Sequence, residues 1–192
     1  NKGDMEQAIA AYKAVVNSYP SSEEAKVAIE SMQTIYVENN QITEYLNYRE
    51  SIAGSTISTV KKSLEDSLNF VAAERLFVKE KYKEATASLK NYLVTYCDKQ
   101  TLNCISAQYY LAESYYKTEQ LDKALTSFER LTKLTGNPYQ EEALIRSAEI
   151  TYDQKAYKPA LEYFEQLFET ASNKENKNSA RVGILRCSYA LK

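Results

Sequence analysis

The sequence predicts an all-α fold, an α-α superhelix in which antiparallel helix hairpins stack into a solenoid. A fourteen-residue pattern recurs, as LAESYYKTEQLDKA at 111–124, SAEITYDQKAYKPA at 147–160 and, more loosely, AAERLFVKEKYKEA at 72–85. Apolar residues around it fall at three- and four-residue steps, as in Leu111, Ala112, Tyr115 and Tyr116, then Leu121, Ala124, Leu125, Phe128 and Leu131. That is the period of an amphipathic helix, and a short polar break divides each pair of runs. Composition agrees: four Gly and three Pro in 192 residues leave few helix breakers. A hairpin this short cannot bury its own apolar stripes, so neighbours must stack and share a core.

The last Ala of each copy serves as a ruler. Ala85, Ala124 and Ala160 are separated by 39 and 36 residues, and GDMEQAIAAY, from Gly3, supplies Ala8, 77 residues before Ala85. The skipped anchor falls near Tyr45 in NNQITEYLNY. A lone second helix is therefore expected over 4–19, closed by Pro20 after NSY. Hairpins follow near 23–52, 62–97, 105–135 and 140–171, and a lone first helix over 177–191 completes a single solenoid over 1–192. Gly54, in SIAGSTISTV, interrupts the pattern and is expected to bend the array. Gly136-Asn137-Pro138 is expected to close a helix, and Pro159 to sit near a helix start, where its missing N–H costs little. The opening at Asn1, inside a repeat, reads as a processed or trimmed fragment.

These residues resemble the tetratricopeptide repeat (TPR) family. Its hallmark is a small residue midway along the first helix, a small residue early in the second, and a bulky residue four positions later. Here those are Ala73, Ala112 and Ala148; Ala8, Ala85, Ala124 and Ala160; and Tyr12, Leu89, Phe128 and Phe164. Helix axes approach to the short end of the usual range only where the crossing side chains are small. The family's first-helix Trp is missing, Tyr45 stands where Ala is expected, and the units exceed the family's length of about 34 residues. The segment 23–52 departs furthest, and an unrelated helical bundle is the alternative fold. The Tyr-rich units and the cysteine pair are similar to bacterial cell-envelope TPR proteins, which would imply a periplasmic or outer-membrane-associated setting and a part in envelope assembly or division.

The composition argues against catalysis. There is no His, which removes the commonest general base and transition-metal ligand. Neither a P-loop nor GxGxxG occurs, and acidic pairs such as Glu141-Glu142 point apart on a helix. No enzyme activity, cofactor or metal is expected. A balance of 24 basic against 26 acidic residues disfavours nucleic acid, and no apolar run reaches the roughly 20 residues of a membrane span. Cys97 and Cys104 bracket the turn CDKQTLNC. They are either an oxidised staple or two unpaired thiols, whereas Cys187, in VGILRCSYAL, reads as a buried small hydrophobe.

The resemblance implies that ligands lie along the inner face, which first helices line. Projecting the helical period from Ala73, Ala112 and Ala148 gives three candidate rows: Phe70, Tyr109 and Ile145; Glu74, Glu113 and Glu149; Phe77, Tyr116 and Tyr152. The Lys and Asn ladder with which chaperone-binding relatives hold a terminal carboxylate is missing. Alternating aromatics and carboxylates instead suit a protein or peptide segment carrying basic and apolar side chains. The opposing expectation is that the aromatics pack between hairpins and the glutamates pair with Arg75, Lys117 or Arg146. Self-association is a further possibility, since half a hairpin at each end leaves an apolar stripe uncovered.

Overall fold

Ten α-helices and no strand make up the residues described by the computed structural model, 2–53, 58–99, 101–134 and 136–192. Two units divide the chain, Asn1–Lys79 and Glu80–Lys192. The first holds α1 (Lys2–Ser18), α2 (Glu23–Glu38), α3 (Ile42–Ala53) and α4 (Ser58–Val78). The second holds α5 (Tyr82–Tyr96), α6 (Leu102–Lys117), α7 (Leu121–Thr132), α8 (Gln140–Asp153), α9 (Tyr157–Thr170) and α10 (Lys174–Ala190). Gly54, where a bend is expected, lies outside the described residues.

One local device recurs at four of the turns between helices. Asn40, Glu80, Glu119 and Lys155 all adopt left-handed backbone, with φ between 57° and 61°. In three of these turns the residue after the left-handed one donates its N–H back to the last turn of the helix: Gln41 to Tyr36 O, Gln120 to Tyr115 O and Ala156 to Thr151 O, at 2.8–2.9 Å. These bonds satisfy carbonyls that a helix end leaves open and reverse the chain in three residues. Five residues beyond each left-handed position stand Tyr45, Ala85, Ala124 and Ala160, every one fully buried. Seven residues before it stand Gln33, Ala73, Ala112 and Ala148, of which the three alanines are fully buried. The alanine ruler therefore marks equivalent places in successive turns.

In unit 1, Ser22 caps α2 by accepting the Ala25 N–H at 3.1 Å, and Glu23 and Glu24 sit in the first turn, where the helix dipole favours negative charge. Ala25, Ala28, Met32 and Tyr36 form the buried stripe of α2 and join Val16, Ile42, Tyr45 and Leu68 in one core. Where the other turns carry Ala at both positions, this one carries Gln33 and Tyr45. The Tyr45 hydroxyl donates to Gln33 Oε1 at 3.0 Å, so the enlarged pair shares a hydrogen bond that two alanines could not make.

In unit 2 each helix packs against its successor, and α10 also touches α8. One core gathers Ala112, Tyr115, Ala124, Phe128, Leu131 and Ile150; a second gathers Leu144, Leu167, Ala171 and Ala180. Helix α7 stops at Thr132, ahead of the Gly-Asn-Pro signal. Gly136 takes φ 77°, but the Asn137 side chain closes this end, donating to the carbonyls of Leu131 (2.9 Å) and Leu134 (2.5 Å) while accepting the Tyr139 N–H (2.8 Å). Pro159 is the third residue of α9, within the turn whose N–H groups have no helical partner. The α9–α10 turn is held by Glu141, which accepts from the Ser172 N–H and from Asn176 Nδ2, each at 2.7 Å.

Candidate functional site

Helices α6, α8 and α10 present successive faces to an open groove of about 730 Å³ in unit 2, with Phe164 and Leu167 of α9 behind it. Tyr116 comes from α6; Ile145, Arg146, Glu149, Tyr152 and Asp153 from α8; Val182, Gly183 and Arg186 from α10. On α8 the spacing of 145, 149 and 152 follows the helical repeat, so these side chains share one stripe. The groove's volume falls within the roughly 300–1,000 Å³ range of ligand-binding clefts.

Four of the nine candidate residues, Tyr116, Ile145, Glu149 and Tyr152, meet in this groove. Tyr109 is used in packing: its ring stacks on Tyr139 at 4.2 Å and meets Phe128 edge-on at 6.4 Å. Burial, with the nearby Glu113, Glu142 and Tyr139 adding to it against the pull of Arg146, pushes the Tyr109 hydroxyl up to about 12. Glu113 is also occupied internally. It is 4% exposed and accepts from Arg146 Nε at 2.9 Å. Phe70, Glu74 and Phe77 lie along α4 in unit 1, with Phe70 buried and the other two partly covered. Of the neighbours expected to neutralise these carboxylates, Arg146 does so for Glu113 and Glu149, while Arg75 bonds to Glu38 at 2.9 Å.

Arg146 organises the groove wall. Its Nη1 donates to Glu149 Oε2 at 2.8 Å, and its guanidinium lies 4.8 Å from the Tyr116 ring centre. Burial works against its charge, but the hydrogen bonds and charges of Glu113 and Glu149 outweigh that and raise its pKa above the ordinary value. Arg146 is held between the buried Glu113 and Glu149, and the groove lining itself carries two carboxylates, Glu149 and Asp153, with two guanidiniums, Arg146 and Arg186. Tyr152, braced edge-on against Tyr157 at 5.4 Å, offers an aromatic surface beside Asp153.

Arg146 was expected only as a partner of the glutamates, and Asp153 and the whole α10 wall were missed by projection from the alanines. Gly183 carried a usable signal, since a glycine inside a helical run marks a close approach. A Cβ there would fall 2.5 Å from three atoms of the Phe164 ring, so the bare backbone is what lets α10 close against α9.

Cys97 and Cys104 are joined in a disulfide with Cα atoms 5.7 Å apart, tying the end of α5 to the start of α6. Cys187 is buried, and burial raises its thiol pKa. Closing a loop of seven residues is worth about 2 kcal/mol by chain entropy, so Cys97→Ala/Cys104→Ala should lose about that much in urea unfolding. Thiol titration of the oxidised wild type in denaturant should find Cys187 alone; three reactive thiols would contradict the staple. Among the described residues no group of three or more His, Cys, Asp or Glu is placed to hold a metal, and no helix is long and apolar enough to cross a membrane.

Comparison with known proteins agrees with the helical geometry. A tetratricopeptide repeat family model matches residues 1–22 and 106–134. Among 13 similar solved chains is the crystal structure of the P58(IPK) TPR domain, at TM-score 0.53 and 16% identity. That likeness covers 99% of this chain and 52% of the other, so the chain spans about half the length of that structure. No curated protein matches the sequence.

Proposed function

From a tetratricopeptide-type fold, whose members bind protein partners, we propose that this chain is a non-catalytic scaffold whose α6–α8–α10 groove holds a segment of another protein. The observation that carries the reading is the groove itself, with apolar surface from Tyr116, Ile145, Tyr152 and Val182 beside the carboxylates of Glu149 and Asp153. Aromatic anchors supply area, and Asp153, which has no ion pair among the described residues, favours a basic ligand beside Glu149, which shares Arg146. The segment that fits is apolar with basic side chains. A fluorescent Leu/Lys peptide should bind the full chain, and Glu149→Gln/Asp153→Asn should weaken it about tenfold. Unchanged affinity would remove the groove assignment. A Gram-negative envelope setting, with a part in envelope assembly or division, is proposed alongside, supported by the disulfide, which persists in oxidising compartments.

A second reading, self-association, is favoured by one observation. Val182, Leu185 and Tyr189 lie at i, i+3 and i+7 on α10 and are 46%, 70% and 82% exposed. Sedimentation across a concentration series distinguishes the two readings, because a mass that rises with concentration and falls back in Leu185→Glu supports pairing through this stripe.

A further inference from the structure

Unit 2 carries another concave face, of about 460 Å³, that shares no residue with the groove. It lies where α5, α6 and α7 meet. Leu93, Leu111 and Leu134 give it apolar surface, the exposed Arg130 and Lys133 give it charge, and Cys97 of the disulfide borders it. No carboxylate lines it. Neither cation has a hydrogen bond or ion pair among the described residues. At about 100° per residue, Leu111 stands well around α6 from Tyr109, Glu113 and Tyr116, so the two faces are separate.

We propose that this face docks an acidic, leucine-bearing segment of a partner protein. Charge points to that occupant: two unpaired cations stand together on a chain whose net charge is −2, so the positive patch is local rather than part of a general excess. Partly buried leucines beside cations recognise an amphipathic segment, with carboxylates meeting the rim and apolar side chains filling the centre. The walls are already set. The disulfide fixes the end of α5 against α6, and Asn137 pins the carbonyls of Leu131 and Leu134 at the end of α7, which lowers the ordering cost of binding. Two cations are too few for a polyanion, whose binding sums over many phosphates.

The test uses the full chain and a labelled amphipathic Leu/Glu peptide of about 14 residues, four helical turns, followed by fluorescence anisotropy. The peptide should bind with an affinity that falls as salt rises, and Arg130→Glu/Lys133→Glu should weaken it at least about tenfold. Glu149→Gln/Asp153→Asn, which acts on the other groove, should leave it within about twofold. No binding up to about 1 mM peptide, or equal affinity in the Arg130→Glu/Lys133→Glu variant, overturns the proposal. So does concentration-dependent self-association that the same variant abolishes, since the occupant would then be a second copy of the chain.

Discussion

Replacing Arg146 by Ala should lower the unfolding free energy by about 3 kcal/mol, although Arg146 lines the groove and is not part of the hydrophobic core. The reason is what it leaves behind. Glu113 keeps a carboxylate at 4% exposure with its Arg146 hydrogen bond gone, and Glu149 loses the same partner at the groove wall. Breaking a buried pair from one side costs about 3–5 kcal/mol, and the 30% exposure of the Arg146 side chain places the effect at the lower end. The companion Arg146→Met/Glu113→Gln removes both charges and should recover more than half of the loss. Urea denaturation checks both variants; a single mutant within about 0.5 kcal/mol of wild type would mean that the Glu113 charge is solvated.

Tyr45→Ala should cost about 3–4 kcal/mol, even though it installs the residue that the repeat pattern favours at that position. Tyr45 is fully buried in the core of unit 1, its ring lies 5.9 Å from that of Tyr36, and its hydroxyl satisfies Gln33. Removing it opens a cavity and takes a hydrogen bond from the partly buried Gln33 amide. Tyr45→Ala/Gln33→Ala, by contrast, restores the small pair found at the other turns and should gain back only the polar part of the loss, about 1 kcal/mol, because the surrounding helices stay spaced for a tyrosine. Urea denaturation of the single and double variants checks this. A Tyr45→Ala variant as stable as wild type would show that α2 and α3 can close up as the alanine-bearing pairs do.

The fold was legible because its periodic part is written in residue size. A buried alanine is needed wherever two helices cross closely, so Ala85, Ala124 and Ala160 keep their spacing from the turn whatever the loops between repeats do. The turn itself was hidden. Asn40, Glu80, Glu119 and Lys155 share one backbone conformation but no chemistry, and three of them lack the glycine that normally announces it without being the Asn that can replace it. The end of α7 was misplaced for a related reason, since Asn137 caps through its side chain rather than through the glycine beside it.

The candidate site was legible only in part, because projecting a helix face says which residues share a stripe but not which of them the neighbouring helix takes. Tyr109 and Glu113 lie on the same stripe of α6 as Tyr116, yet Tyr139 stacks on the first and Arg146 bonds to the second. Only Tyr116 faces the groove. The α10 wall was missed because the rows were projected from Ala73, Ala112 and Ala148, which lie on α4, α6 and α8, and no anchor on α10 entered the projection.

The central claim is that the α6–α8–α10 groove is where a partner segment binds. The most direct measurement is an NMR titration of the isotope-labelled full chain with the Leu/Lys peptide. Shifts concentrated at Tyr116, Ile145, Glu149, Tyr152 and Val182, saturating together with one affinity, are the predicted result; saturable shifts elsewhere with these residues unmoved would contradict it.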